Sequence, residues 1–255
     1  MKVERIIVSS NNNATYYPFW NIISEVYSKN FGIKSTLMWH GLESDISNYD
    51  ISDKYGDIIT LPIHPEYQVP WQTTWGYFYG TKFYPNEVCM ILGIDEILLS
   101  NFFNSFIKDI DPDVYVTLID DAYLPSHWQN PGGTSPTAYH IAKGKIFNEV
   151  YKFNNNFLLE IEKVYKSKDS FWSTGKDKWG IDESYSSKRL RKYKDSKGKI
   201  TSFSKFSFLQ ERRINCHRNQ EVPYDINLLQ KGFYSEIHCC RPYLNHKNYL
   251  DTLVK

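Results

Sequence analysis

The sequence predicts an α/β fold, a central sheet with helices on its faces, and three observations carry that expectation. A short β-branched segment at 5–8 (RIIV) is followed by a helical repeat and a second apolar segment at 34–39, a spacing that suits a parallel crossover. The run 88–92 (VCMIL) is continuously apolar, as a strand covered on both faces must be. That run ends at Gly93 and Ile94 and then in two carboxylates, Asp95 and Glu96. Open α/β sheets bind ligands at the carboxyl ends of their strands, so an acidic tip there is a candidate site. Side chains alternate along a continuing strand, so only one of the two acids faces the ligand, and Asp95 is taken as that one.

The elements follow in order. After the first strand comes a polar turn at 9–15, which contains neither G-x-G-x-x-G nor the P-loop pattern, so the dinucleotide-dehydrogenase and P-loop classes lose their main support. Ser9, Ser10 and Asn11 stand at the strand end, either touching a nucleotide or forming a solvated turn. Pro18 opens a helix with Trp20, Ile23, Val26 and Tyr27 at helical spacing, and Gly32 closes it. A third strand is expected at 57–60, an aromatic helix at 71–82, a helix at 100–108 capped by Ser100, and a further strand at 113–118. Asp120 and Asp121 follow, then a long loop at 122–137 with three prolines, which marks a functional segment near the same sheet edge. Residues 139–144 re-enter as a short strand and turn, and 145–165 is helical with an interruption at Asn154, Asn155 and Asn156. Beyond 166, Lys188, Arg189, Arg191, Lys192, Lys194, Lys197 and Lys199 crowd a polar stretch read as a helix end and an exposed loop or hairpin. Such a stretch is a solvated face, a grip on a diphosphate or acidic acceptor, or a contact with an anionic membrane surface.

With 255 residues the chain is expected to be a single domain, 1–165 forming its core and 166–255 a C-terminal segment. A net charge of +1 gives no support to a global nucleic-acid binder. Aromatics make up 16%, enough to supply both a thick core and platforms for flat ligands. No segment approaches the roughly 18 apolar residues of a membrane span, and a soluble, cytoplasmic protein is expected. Cys89, Cys216, Cys239 and Cys240 show no C-x-x-C or zinc spacing and are expected as reduced thiols. His40, His64, His127 and His217 show no metal spacing and are assigned to structure.

On these residues the chain resembles nucleotide-sugar-dependent glycosyltransferases of the GT-A type, compact enzymes of bacterial polysaccharide clusters and large viruses or phages. The segment 93–100 (GIDEILLS) looks like a variant of their D-x-D strand end, 139–144 (YHIAKG) like their re-entrant segment, 179–183 (WGIDE) like W-G-x-D-E, and 234–243 (YSEIHCCRPY) like their C-terminal His segment. The likeness spans about 5–245 in the right order. It implies a GT-A-like, Rossmann-related mixed sheet, with 1–165 binding the nucleotide sugar and 166–255 on the acceptor side. It implies transfer of a sugar to a hydroxyl of a glycan acceptor, and Mn or Mg held by Asp95 and His238. Gly93 stands where the first Asp of D-x-D belongs. That departure leaves open a metal-free site in which Asp95 binds hydroxyls, and a non-catalytic nucleotide-sugar or carbohydrate-binding module. The resemblance makes Asp182, with Glu183 beside it, the base that deprotonates the acceptor, against an N-cap reading of the same acid. Tyr16 is a candidate for stacking on the base, and Lys143, Arg213 and Arg241 are candidates for the phosphates.

Overall fold

The computed structural model describes residues 1–118, 136–167, 180–196, 198–203, 212–216 and 220–254. Strand β1 (Arg5–Ser10) is buried at every position and lies inside a seven-stranded sheet. Helix α1 (Phe19–Phe31) starts after Pro18 and stops at Gly32, whose left-handed φ of 62° lets its N–H donate to the Ser28 carbonyl and the following Ile33 N–H donate to the Tyr27 carbonyl. Strand β2 (Lys34–His40) pairs parallel with β1, and after the short α2 (Glu43–Ile46) strand β3 (Gly56–Leu61) pairs parallel with β2. Helix α3 (Val69–Gly80) leads to β4 (Val88–Ile91), which adds parallel to the other side of β1.

The remaining strands make the sheet mixed. Strand β5 (Glu96–Leu98) leaves it, a short π-helical turn (Phe102–Phe106) replaces the helix expected at 100–108, and β6 (Tyr115–Leu118) returns. Strand β7 (His140–Lys143) lies antiparallel between β4 and β6. Helices α4 (Gly144–Tyr151) and α5 (Phe157–Tyr165) are separated at the asparagine run, where the Asn156 side chain caps α5 by accepting from the Leu159 N–H. Helix α6 (Ile181–Asp195) carries most of the basic stretch that was expected to fall at a helix end and in a loop. Strand β8 (Ile200–Phe203) then pairs parallel with β6, giving the order β3-β2-β1-β4-β7-β6-β8. A second sheet, absent from the sequence expectation, has the order β5-β10-β9, formed with β9 (Arg213–Asn215) and β10 (Glu236–His238). Helices α7 (Ile226–Gln230) and α8 (Lys247–Val254) complete the chain.

Strand alternation sorts the core into two layers. Ile6, Val8, Leu37, Trp39, Met90 and Leu92 face α1, whereas Ile7, Met38, Cys89 and Ile91 share a cluster with α3 and α4. No helix among the described residues is long and apolar enough to cross a membrane. The expectation of four reduced thiols is corrected: Cys216 and Cys240 form a disulfide, while Cys89 and Cys239 are free and buried. The cause is the parallel pairing of β9 with β10, which sets their ends side by side, the Cys216 N–H donating to the His238 carbonyl at 3.0 Å.

Candidate functional site

The site begins where β4 runs out. The Leu92 N–H still donates to the Ile7 carbonyl, but the Glu96 N–H closes a turn onto the Gly93 carbonyl at 3.1 Å, so the strand does not continue through the two acids. The expected opposition of Asp95 and Glu96 is therefore corrected. Both are buried, and both carboxylates converge on Gly93. The Gly93 N–H donates to Glu96 Oε2 at 2.8 Å. A Cβ on Gly93 would lie 2.8 Å from that same oxygen and 3.1 Å from Asp95 Oδ1. A side chain at this position would have to displace the Glu96 carboxylate, which fills the space it would enter.

Strand β10 supplies the facing groups. It pairs antiparallel with β5, with His238 opposite Glu96, and the Cys239 N–H donates to the Asp95 carbonyl at 2.8 Å. His238 Nε2 lies 3.5 Å from Asp95 Oδ2, and Arg241 Nε lies 3.4 Å from the same oxygen. Arg241 Nη1 donates to the Tyr16 hydroxyl at 2.8 Å, and its guanidinium sits 5.5 Å from the Tyr16 ring centroid. His238 Nδ1 meets Asn215 Oδ1 at 3.0 Å. Burial pushes the Asp95 carboxyl up, but the hydrogen bond and charge of His238 and the charge of Arg241 outweigh it and hold the carboxyl below its ordinary value. For His238 burial pulls the other way, and the Asp95 hydrogen bond together with the Glu96 and Asp95 charges leaves the imidazole raised.

A second buried layer lies beneath. Arg213 Nη2 reaches Glu236 Oε1 at 2.9 Å, the Tyr139 hydroxyl at 3.2 Å and Glu96 Oε1 at 3.7 Å. The Tyr139 hydroxyl donates to Glu236 Oε1 at 2.5 Å. Burial pushes Glu236 up to about 7 against the pull of Arg213.

The other acid comes from α6. Its N-cap is Gly180, with φ 81°, so Asp182 is not the cap; Asp182 and Glu183 occupy the first turn, where the helix dipole favours carboxylates. Asp182 is only 5% exposed, and the Thr74 hydroxyl of α3 donates to its Oδ2. Burial raises this carboxyl, with Thr74 acting in the opposite sense. Burial, with the nearby charges of Asp182, Glu96 and Glu183, pushes the Tyr77 phenol well above its ordinary value.

Of the residues expected at the site, the structure gathers Asp95, His238, Tyr16 and Arg241 at one point. Ser9, Ser10 and Asn11 lie at the same sheet edge, where Ser9 Oγ donates to the Met38 carbonyl, Ser10 Oγ donates to the Asn11 carbonyl, and Asn11 Oδ1 accepts from the Asn13 N–H. Lys143 lies at the other end of the strands, opposite Val88 at the start of β4, and pairs with Asp113 at 2.7 Å. Asp120, Asp121, His127, Trp179 and His217 fall outside the described residues. Sequence reasoning missed Glu96 as a site neighbour, Thr74, Asn215, Tyr139 and Glu236. Only Glu236 left a signal, its E-x-H spacing to His238 on one strand face.

No family model matches the chain, and no curated protein matches it. Among solved structures the chain is similar to an active-site mutant of LgtC, with a TM-score of 0.50 and 13% identity over 92% of this chain and 87% of that one. It is also similar to galactosyltransferase LgtC in complex with donor and acceptor sugar analogs, at 0.47 and 12%, covering 93% and 87%. The glycosyltransferase GlyE of Streptococcus pneumoniae TIGR4 aligns at 0.48 and 10% over 82% of this chain and 47% of GlyE, so the chain spans about half of GlyE's length. The α/β fold with a mixed sheet is as expected, and it is the fold of GT-A glycosyltransferases.

Proposed function

We propose that the chain is a glycosyltransferase that moves a sugar from a nucleoside-diphosphate sugar to a hydroxyl of a glycan acceptor. The observation that carries this reading is the meeting of Asp95, His238, Arg241 and Tyr16 at the carboxyl edge of a GT-A-like sheet. In glycosyl transfer the bond from the anomeric carbon to the diphosphate oxygen breaks, a bond from that carbon to the acceptor oxygen forms, and the acceptor proton passes to a base. The leaving diphosphate needs fixed positive charge, which Arg241 supplies while His238 balances the Asp95 carboxylate. Asp95 orients both cations and is placed to accept from donor hydroxyls. Tyr16 offers a ring beside Arg241 for the nucleotide.

Asp182 is assigned as the base, with Glu183 next to it on the same helical turn. Burial raises its carboxyl and so makes the anion a better proton acceptor once it is ionised. The residues present do not make a resident divalent-metal centre of Asp95 and His238. Gly93 brings no carboxylate, the Glu96 carboxylate is turned onto the Gly93 N–H, and Asp95 Oδ2 already faces His238 and Arg241. Among the described residues no three metal-ligating side chains converge.

The test is transfer to glycan acceptors, and donor hydrolysis, with a panel of nucleotide sugars in the presence of EDTA or Mn. Turnover that is lost in Asp95→Ala supports the reading. Tight donor binding with no turnover under any condition replaces it with a non-catalytic binding module, the alternative favoured by Gly93.

A further inference from the structure

We infer that Arg241 is the built-in cation of this site, standing beside Asp95 where a divalent ion would act, so that nucleoside diphosphates bind without a metal. The inference rests on the reading of this site as a diphosphate-donor site.

Three contacts fix the guanidinium before any ligand arrives. Its Nε faces Asp95 Oδ2 at 3.4 Å, its Nη1 donates to the Tyr16 hydroxyl at 2.8 Å, and its Cζ lies 5.5 Å from the Tyr16 ring centroid. The backbone behind it is held as well. Cys240, the preceding residue, is cross-linked to Cys216, and the Cys239 N–H is bonded to the Asp95 carbonyl. Holding a long side chain in one rotamer in advance removes an ordering cost that binding would otherwise incur.

Position and exposure suit the role. The Arg241 side chain is 29% exposed, so it is reachable from solvent while anchored at Nε and Nη1. A guanidinium has five N–H donors, and among the described residues Asp95 and Tyr16 engage only Nε and Nη1. The Nη2 side is left for phosphate oxygens, which arginine binds in a bidentate manner. His238 does not compete for that task. Its Nδ1 is oriented by Asn215 and its Nε2 is turned to Asp95, so the imidazole balances the Asp95 charge and Arg241 contributes the excess.

Gly93 and Glu96 complete the argument. A two-carboxylate clasp needs an acid at position 93, and the volume such a side chain would enter is taken by the Glu96 carboxylate, which is itself held by the Gly93 N–H and lies 3.7 Å from Arg213. The turn is thus packed without the first acid, and the nearby arginine supplies the positive charge that a metal held by a two-acid clasp would bring.

The experiment is isothermal titration of the full chain with UDP, GDP, ADP and CDP, in EDTA and in Mn, for wild type, Arg241→Gln and Arg241→Lys. The expected result is that one of these diphosphates binds in EDTA, that Mn changes its affinity by less than about 3-fold, and that Arg241→Gln weakens it by about 10- to 100-fold, the range lost with one charge-assisted contact. Arg241→Lys recovers only part of the loss, since it keeps the charge without the fork. Binding by wild type only in Mn, or an Arg241→Gln protein that binds as tightly as wild type, overturns the inference and leaves the donor-site reading standing. Failure of all four diphosphates in both conditions overturns both. The comparison of EDTA with Mn uses wild type alone and so decides metal independence whatever the variants do, while Arg241→Lys, which keeps the charge, decides the part of Arg241 if Arg241→Gln does not fold.

Discussion

At the scale of single residues, the site turns on one glycine and the carboxylate folded over it. Gly93→Ala forces a methyl to within 2.8 Å of Glu96 Oε2. Glu96 must then give up the Gly93 N–H, at a cost of about 1–2 kcal/mol in urea denaturation, and the cost shrinks in a Glu96→Ala background because the two positions are coupled. A second expectation concerns His238, whose folded pKa lies above the ordinary 6.5. The stabilisation it gives is complete below its unfolded pKa and is lost as pH rises through the folded value. His238→Asn therefore flattens the fall in unfolding free energy above pH of about 6.5, measured as denaturation midpoints across a pH series. Thr74 provides a third. Its hydroxyl lowers the raised carboxyl of Asp182, so Thr74→Val moves the acidic limb of the rate profile to higher pH while Thr74→Ser keeps it in place. Asp95 and His238 were legible in the sequence through short motifs. Glu96 was not, since the alternation rule holds only for a strand that continues, and this one turns at Gly93.

At the scale of elements, the small sheet β5-β10-β9 does what the large sheet cannot. It brings a C-terminal strand across the end of β4 and places His238 against Asp95 from about 140 residues away in the chain. Three-residue strands such as β5, β9 and β10 carry too little pattern to be read from sequence, so this sheet appeared only as an unexplained His segment. The disulfide escaped for a related reason: its spacing of 24 fits no short motif, and only the parallel pairing of β9 with β10 brings the two thiols together. Removing it in Cys216→Ser/Cys240→Ser is expected to cost about 3 kcal/mol through the freer unfolded chain. Thiol titration of the unfolded, unreduced protein should count two of the four cysteines, Cys89 and Cys239; four reactive thiols would dissolve the cross-link. Helix α6 was half legible, its acids visible but its length hidden by a polar composition that reads as loop.

For the whole molecule, the segments of β1, β2, β3 and β4 and the parallel crossover from β1 to β2 were legible in the sequence, as apolar runs separated by helical repeats, whereas their order β3-β2-β1-β4 was not. The insertion of β7 antiparallel between β4 and β6 was not, and it carries Lys143 to the edge away from Asp95, a placement that residue type alone does not reveal. The same architecture gathers residues from 16, 95, 238 and 241 at one sheet edge, with Asp182 delivered by a separate helix near Tyr77. The central claim is that this gathered edge transfers a sugar from a nucleoside diphosphate to an acceptor hydroxyl. The most direct measurement is turnover of a nucleotide-sugar panel by wild type, Asp95→Ala and Asp182→Asn, each first shown to be folded by circular dichroism. The account expects turnover of at least one donor by wild type and a loss of about 100-fold or more in kcat/KM for both variants, the usual effect of removing a charge-stabilising group or a general base. Full activity in both variants would contradict the site, and no turnover of any donor by wild type would contradict the function.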